Sequence, residues 1–80
     1  MIITLKYYGE IAEIMGSEVE SIIINNSSIT INELNSILIT KNKSLKGISF
    51  KIAINQSISD DNVTIMENDE VALLPPFSGG

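Results

Sequence analysis

The sequence predicts an α+β fold, in which a mixed β-sheet is covered on one face by a main helix and a second, short helix is added. Short segments in which apolar, β-branched residues alternate with other residues occur near the start, middle and end of the chain. One intervening segment has apolar residues at helical spacing behind a capping motif. The chain has 80 residues, of which 44 % are hydrophobic, so one domain with a packed core is expected.

The N-terminal part of the chain is expected to form two strands joined by a short helix. The first strand spans residues 2–8. The residues on its apolar face are Ile3, Leu5 and Tyr7. Gly9 breaks this pattern, and a two-turn helix then ends at Gly16, because glycine readily adopts the left-handed conformation found at helix ends. Residues 19–24 form the second strand, which stops at the turn-forming residues 25–28.

Thr30 and Glu33 mark the start of the main helix. Their spacing predicts a capping box, in which each side chain accepts a hydrogen bond from a backbone N–H that the helix start leaves free. Ile29 before the cap and Leu34 after it predict a hydrophobic staple. The residues expected on the apolar face of the helix are Ile31, Leu34, Ile37 and Leu38. The lysine-containing stretch 41–44 suits the C-terminal end of a helix, where positive charge is stabilised.

The C-terminal part of the chain is expected to add three strands. Alternation over residues 50–55 predicts a half-buried strand with Ala53 on its exposed face, and residues 60–62 form the turn that follows it. Residues 63–66 predict a short strand. Asn68 lies in the next turn, where it can tolerate a positive φ, and residues 71–74 form the last strand.

The composition excludes several classes of site. The chain has no Cys and no His, which removes disulfides, thiolate nucleophiles, and the commonest general base and metal ligand, so no metal site is expected. The formal net charge of −5 disfavours nucleic acid and anionic lipid and suits a basic protein partner. A signal peptide and an apolar run of about 20 residues are both missing, so we expect no membrane insertion and a cytoplasmic location.

Two consecutive prolines near the end of the chain define the predicted domain boundary. Pro75 and Pro76 fix φ and resist joining a β-ladder, so they should end the last strand and project the chain outward. The expected organisation is a domain over residues 1–76 and a flexible tail over residues 77–80. From Pro75 to Gly80 the chain can reach up to roughly 20 Å, at about 3.3 Å per extended residue. That length is sufficient to enter a deep pocket on another protein.

Gly80 is the residue predicted to carry the chemistry. Gly79 and Gly80 have no side chains to clash in a narrow channel. A carboxylate is a poor electrophile, but adenylation by ATP on a partner enzyme creates a leaving group that sulfide or an amine can displace. The alternative interpretation is an ordinary frayed terminus.

Other side chains near the predicted turns and tail have a functional and a structural interpretation. Leu74 and Phe77 could anchor the tail in a partner's pocket, or Phe77 could fold back on the domain. Lys51 is expected to point outward from its strand. Acidic residues that could bind a cation, but are typical of solvated turns, are Asp60, Asp61, Glu67, Asp69 and Glu70. Those that could form a docking patch, or simply a solvated face, are Glu10, Glu13, Glu18 and Glu20.

Residues 68–80 resemble the C-terminus of the molybdopterin synthase small subunit family. They read NDEVALLPPFSGG, and the family ends in DEVA, two apolar residues, two prolines, any residue, Ser or Thr, and two glycines. Residues 53–55 look like the Ala-Val-Asn strand of the family, and residues 13–16 look like the end of its first helix. The resemblance therefore covers essentially the whole chain.

The resemblance implies a β-grasp, ubiquitin-like fold with the first and last strands as parallel neighbours. It also implies that an ATP-dependent activating enzyme adenylates Gly80 and that a sulfur donor converts it to a thiocarboxylate, with no cofactor bound by this chain. The tail would then enter the large synthase subunit, in a heterotetramer, and donate sulfur to cyclic pyranopterin monophosphate to build the dithiolene of molybdopterin. The residues expected to contact the partners are Leu74, Pro75, Pro76, Phe77, Ser78 and Gly79.

The chain departs from the family pattern at a few positions. Many members have Arg where this chain has Ala12, and an aromatic pair where it has Leu73 and Leu74. Asn68 replaces the usual turn glycine. Alternatives on the same fold are a thiamine-pathway carrier, against which the double proline argues, and a ubiquitin-related modifier. A different class is a β-grasp binding module with an inert tail, which would not be adenylated.

Overall fold

The computed structural model describes residues 1–58 and 63–76 and contains the predicted elements in the predicted order. The strands, numbered in chain order, are β1 (Ile2–Tyr7), β2 (Val19–Ile23), β3 (Ser28–Thr30), β4 (Lys51–Ile54), β5 (Ser57–Ile58), β6 (Thr64–Met66) and β7 (Glu70–Leu74). The helices are α1 (Glu10–Met15) and α2 (Ile31–Lys41), with a 3₁₀ turn at Lys43–Leu45. The short strands β3 and β5 and the 3₁₀ turn are additions to the predicted set. The predicted turn at residues 60–62 lies outside the described residues.

The five-stranded sheet has the order β2-β1-β7-β4-β5, which makes β7 its central strand. β1 and β7 are parallel, with Leu5 opposite Val71, whereas the other neighbours in this sheet are antiparallel. A second, two-stranded sheet pairs β3 with β6. The parallel pairing of the first and last strands is the arrangement that the family resemblance implied, and the mixed sheet confirms the predicted fold class.

The core lies between α2 and one face of the large sheet. The apolar face predicted for β1 is confirmed, because Ile3, Leu5 and Tyr7 are all buried. On α2, Ile31, Leu34 and Leu38 are buried, but the prediction for Ile37 is wrong, since its side chain is 36 % exposed. At about 3.6 residues per turn, Ile37 points about a quarter turn away from the mean direction of the three buried residues, which leaves it on the flank of the helix.

The local signals for helix ends and turns are confirmed. Thr30 Oγ1 accepts a hydrogen bond of 3.1 Å from the Glu33 N–H, and Glu33 Oε1 accepts one of 2.9 Å from the Thr30 N–H, which forms the capping box. Gly16 ends α1 in the left-handed conformation at φ 73°, and Asn68 has φ 69°. In each case the residue type is one that adopts the required conformation at low cost.

Strand β4 is more buried than its alternating pattern predicts. Ala53, expected on the exposed face, is only 4 % exposed. β4 lies between β7 and β5, and Ala53 has Ala72 on one side and Ile58 on the other as its register partners. A methyl group in that position is covered by its neighbours. Within the described ranges, no helix has the length and apolarity required to cross a membrane.

Candidate functional site at the end of strand β7

The C-terminal end of β7 lies in the middle of the five-stranded sheet. Leu73 lies opposite Tyr7 of β1 and opposite Ile52 of β4, so β7 is paired on both sides almost to its end. The Tyr8 N–H donates a hydrogen bond of 3.3 Å to the Leu73 carbonyl, which extends the contact with β1 by one residue. Leu74 is therefore the last strand residue before the prolines. The end of β7 is therefore held in place by two neighbouring strands.

Pro75 and Pro76 follow β7 directly, as predicted, and differ in burial. Leu74 and Pro75 are partly buried, whereas Pro76 is exposed. Neither proline has a backbone N–H that could continue the ladder. Phe77, Ser78, Gly79 and Gly80 lie outside the described residues, so the division of the chain at residues 76 and 77, the tail and its carrier residue remain predictions. Of the predicted partner contacts, the structure brings Leu74, Pro75 and Pro76 together at the end of the central strand.

The ring of Pro75 lies beside Gly9. A β-carbon added at Gly9 would lie 3.2 Å from Pro75 Cγ, closer than the usual carbon contact of about 3.5–4.0 Å. The sequence indicated only that Gly9 ends the first strand. The contact with Pro75 links residues at opposite ends of the chain, and no local pattern of the sequence points to it.

The sheet face opposite α2 carries both apolar and charged side chains near the end of β7. Leu74 lies opposite the exposed Lys51 in the register of β7 and β4, which confirms that Lys51 points outward. Lys6, opposite Ala72, forms an ion pair with Glu70 at a distance of 3.2 Å between Nζ and Oε2. The residues that form one row across this face are Val19, Lys6, Ala72, Ala53 and Ile58.

The carboxylates of the turn before β7 are used in local hydrogen bonds. Asp69 accepts hydrogen bonds from the Met66 N–H at 2.8 Å and from Asn55 Nδ2 at 3.0 Å. Glu67 Oε2 accepts one of 2.7 Å from the Ile2 N–H. These contacts agree with the interpretation of the acidic cluster as a turn. Asp60 and Asp61, the other candidate pair, lie outside the described residues.

Glu20, a member of the candidate acidic docking patch, uses both of its carboxylate oxygens in contacts within the domain. Its carboxylate accepts a hydrogen bond of 2.7 Å from the Tyr7 hydroxyl and forms an ion pair of 3.1 Å with Lys41 Nζ. The pKa of Glu20 is lowered, mainly by the Tyr7 hydrogen bond and further by Lys41, against an opposing effect of burial. Glu10, Glu13 and Glu18 are exposed, so these three are available to a docking surface for a basic partner.

Comparison with solved structures identifies the fold. The structure superimposes with a TM-score of 0.86 on a molybdopterin converting factor subunit 1, described as putative, from Pyrococcus furiosus, at 16 % identity and over 95 % of this chain and 98 % of that chain. The TM-score is 0.82 with SAMP1 from Haloferax volcanii, at 20 % identity and over 100 % of both chains. At these identities the likeness shows the ubiquitin-like β-grasp fold alone.

A third solved structure and a family model are similar to this chain in sequence as well as in fold. Subunit 1 of the molybdopterin-converting factor from Helicobacter pylori, solved in complex with subunit 2, is 28 % identical over 100 % of both chains, with a TM-score of 0.68. The model of the ThiS family matches residues 5–80, which include the whole sheet from Leu5 onward and the terminal glycines. The chain therefore belongs to the ThiS family of β-grasp sulfur carriers.

Proposed function

We propose that this chain is the sulfur-carrying small subunit of a molybdopterin synthase and that the carboxylate of Gly80 is the carrier. The observation that supports this assignment most directly is the similarity over the full length of both chains to the Helicobacter pylori protein, which was solved in complex with subunit 2 of the same factor. The corresponding partner of this chain would be a large synthase subunit, and the family resemblance of residues 68–80 is in accord with it.

The geometry of β7 supports a carrier rather than a catalyst. The strand is paired with β1 and β4, so the domain provides a rigid support for the residues that follow Leu74. The chain has no Cys and no His that could act as a nucleophile or general base at neutral pH. The proposed division of labour therefore assigns catalysis to the partner enzymes and the transferred group to this chain.

The first proposed step activates the Gly80 carboxylate. One of its oxygens attacks the α-phosphorus of ATP bound by the activating enzyme, so that an acyl-adenylate forms and pyrophosphate leaves. Hydrosulfide from a donor then attacks the acyl carbon, the bond to AMP breaks, and a thiocarboxylate remains. ATP is consumed by the partner, and this chain requires no bound cofactor for either step.

The second proposed step delivers the sulfur inside the large subunit. The thiocarboxylate sulfur attacks an oxygen-bearing carbon of cyclic pyranopterin monophosphate, and the carbon–oxygen bond breaks as the carbon–sulfur bond forms, so that the oxygen leaves with its electron pair as hydroxide or phosphate. Water then cleaves the acyl–sulfur bond of the resulting thioester, which returns the Gly80 carboxylate and leaves the sulfur on the substrate as a thiolate. A dithiolene contains two sulfur atoms and each carrier holds one. Two thiocarboxylated chains are therefore consumed for every dithiolene.

Mass spectrometry tests the carrier chemistry. The chain incubated with a cognate activating enzyme, ATP and hydrosulfide should gain about 16 Da, the exchange of one oxygen for sulfur that follows acyl activation. A variant lacking Gly80 is the matched control, because it ends in Gly79 and should gain far less. An unchanged mass of the full chain in the presence of active enzyme would overturn the carrier assignment.

Reconstitution tests the pathway. The thiocarboxylated chain is mixed with the large subunit and cyclic pyranopterin monophosphate, and the dithiolene product is measured against the remaining thiocarboxylate. We expect two carriers to be consumed per product. A chain that is thiocarboxylated but fails to bind the large subunit, or that becomes attached to lysines of other proteins instead, belongs to a different carrier pathway.

A further inference from the structure

We infer that Gly9 is a positioning residue for the C-terminal segment, because its contact with Pro75 sets the direction in which the chain leaves β7. The inference rests on the proposed function, since this direction affects a rate only if Gly80 reacts on a partner enzyme. Gly9 would act through Pro75 and would itself touch neither ATP nor the reacting carboxylate.

Gly9 is held firmly between β1 and α1. It has φ 56° and ψ −133°, close to a backbone region that only glycine adopts readily. Its carbonyl accepts hydrogen bonds from the Ala12 N–H at 3.1 Å and the Glu13 N–H at 3.4 Å, so the first turn of α1 fixes its orientation. Gly9 is thus a rigid part of the domain at the end of β1.

The ring of Pro75 occupies the space that a side chain at position 9 would need. An ideal β-carbon at Gly9 would lie 3.2, 3.8 and 3.9 Å from Cγ, Cδ and Cβ of Pro75. The shortest of these distances would force Pro75 to move by a few tenths of an ångström. The absence of a side chain at Gly9 is therefore what allows Pro75 to lie against the end of β1.

Pro75 needs this support because the β-ladder cannot hold it. The last link to β1 is the hydrogen bond from the Tyr8 N–H to the Leu73 carbonyl, two residues before Pro75. Proline has no backbone N–H with which to continue that ladder. Since the ring of Pro75 lies beside Gly9, we take this neighbour to orient the chain here, five residues before the carboxylate that would react.

A change in this contact should affect the reaction more than the docking of the domain. The domain surface would still bind the activating enzyme. If Pro75 is displaced, however, the Gly80 carboxylate would reach the ATP in a reactive geometry less often. Misplacement of a reacting group by about 1 Å can reduce a rate by as much as 10²-fold. The effect should thus appear in kcat and leave KM nearly unchanged.

Adenylation kinetics of Gly9→Ala provide the test, with pyrophosphate release as the readout. We expect kcat to fall about tenfold and KM to change by less than about twofold. Gly47→Ala is the matched control, because Gly47 also has a positive φ, of 87°, but no atom lies within 4 Å of an added β-carbon. It introduces backbone strain without a new contact and should leave kcat unchanged.

A double variant shows whether the effect passes through Pro75. Pro75→Ala removes Cγ, the atom nearest to the added carbon, so Gly9→Ala should change kcat by less than about twofold in that background. An equal loss in both backgrounds, or an unchanged kcat for the folded Gly9→Ala chain, would overturn the inference. If the unmodified chain releases no pyrophosphate with active enzyme, the proposed function itself fails, and the inference fails with it.

A second comparison applies if Gly9→Ala unfolds at the assay temperature, as judged by circular dichroism. Pro75→Ala and Pro76→Ala each remove one proline ring, but the three atoms nearest to a β-carbon added at Gly9 all belong to Pro75. We expect Pro75→Ala to lower kcat more than Pro76→Ala does. An equal or smaller effect of Pro75→Ala would contradict the role of the contact.

Discussion

The hydroxyl of Tyr7 on β1 donates a hydrogen bond of 2.7 Å to Oε1 of Glu20 on β2, although the Tyr7 residue is only 2 % exposed. Lys41, the last residue of α2, pairs with the other oxygen of the same carboxylate. The pKa of Tyr7 is raised, first by burial and then by the hydrogen bond and negative charge of Glu20, so the phenol stays protonated and remains a donor. One carboxylate thus joins two strands and the end of the main helix.

Removal of that carboxylate should destabilise the fold. We expect Glu20→Ala to lower the free energy of unfolding at neutral pH by about 1–3 kcal/mol, because the buried Tyr7 hydroxyl loses its acceptor. Tyr7→Phe is the control, since it removes the donor and leaves no unpaired group in the core, and it should cost less. Urea denaturation followed by circular dichroism measures both. Equal losses would show that the orphaned hydroxyl is not the cause.

The contribution of the Glu20 charge should depend on pH in a defined direction. Because the pKa of Glu20 is lower in the folded chain than the ordinary value of about 4.3, its pairing stabilises the fold fully above that pH and is lost as the pH falls through the folded-state pKa. The gap in unfolding free energy between the unmodified chain and Glu20→Gln should therefore shrink on acidification from neutral pH. A gap that stays constant with pH would contradict this prediction.

The turn between β4 and β5 offers a site for stabilisation. Its two residues, Asn55 and Gln56, have φ of 50° and 73°, which is the pattern of a type I′ turn, where Asn-Gly is preferred. Gln56→Gly should raise the free energy of unfolding by about 0.5 kcal/mol. A left-handed residue with a β-carbon is strained by about 1 kcal/mol, and the greater backbone entropy of glycine in the unfolded chain offsets part of the relief of that strain.

Asn55→Gly is the matched comparison in the same turn. It should lower stability, because the Asn55 side chain bonds Asp69 Oδ1 and the Glu70 N–H, each at 3.0 Å. Thermal or urea denaturation of the two variants under the same conditions gives the answer. A loss of stability in Gln56→Gly would mean that the Gln56 side chain contributes more than its backbone strain costs.

The predicted partner contact of Leu74 is open to a binding measurement. Leu74→Ala should weaken the association with the large synthase subunit about tenfold, because a large apolar side chain beside the chain exit is suited to act as an anchor. Met66→Ala is the control, since Met66 is 58 % exposed but belongs to the separate sheet of β3 and β6. Isothermal titration of both variants would decide. Equal effects would remove Leu74 from the interface.

Local signals in the sequence were sufficient to predict where several of the elements begin or end, although not the short strands β3 and β5. Thr30 and Glu33 are three residues apart and form their capping box within one helical turn, and Asn68 adopts its positive φ within a single turn. Such features depend on neighbours in the chain alone. The alternation of β1 similarly predicted its buried face, because the side chains of a strand point to opposite faces in turn.

Features that depend on pairing between distant segments could not be predicted in this way. Tyr7 and Glu20 meet only because β1 and β2 pair in one particular register, and Lys41 joins them from the far end of α2. The contact between Gly9 and Pro75 requires the parallel pairing of β1 with β7. The family resemblance supplied that pairing, but the residues alone indicated only that a glycine ends the first strand.

The central position of β7 determines how the domain bears a mechanical load. If a partner binds the C-terminal segment and the domain is pulled away, the force runs along β7 and across its hydrogen bonds, which are slanted in the parallel pair with β1 and perpendicular in the antiparallel pair with β4. These bonds are then sheared together, because none can open before its neighbours. A strand at the edge, peeled from one side, would lose its bonds in succession. Under the proposed function, this arrangement would let the chain be withdrawn from a partner's pocket after each transfer while the domain stays folded.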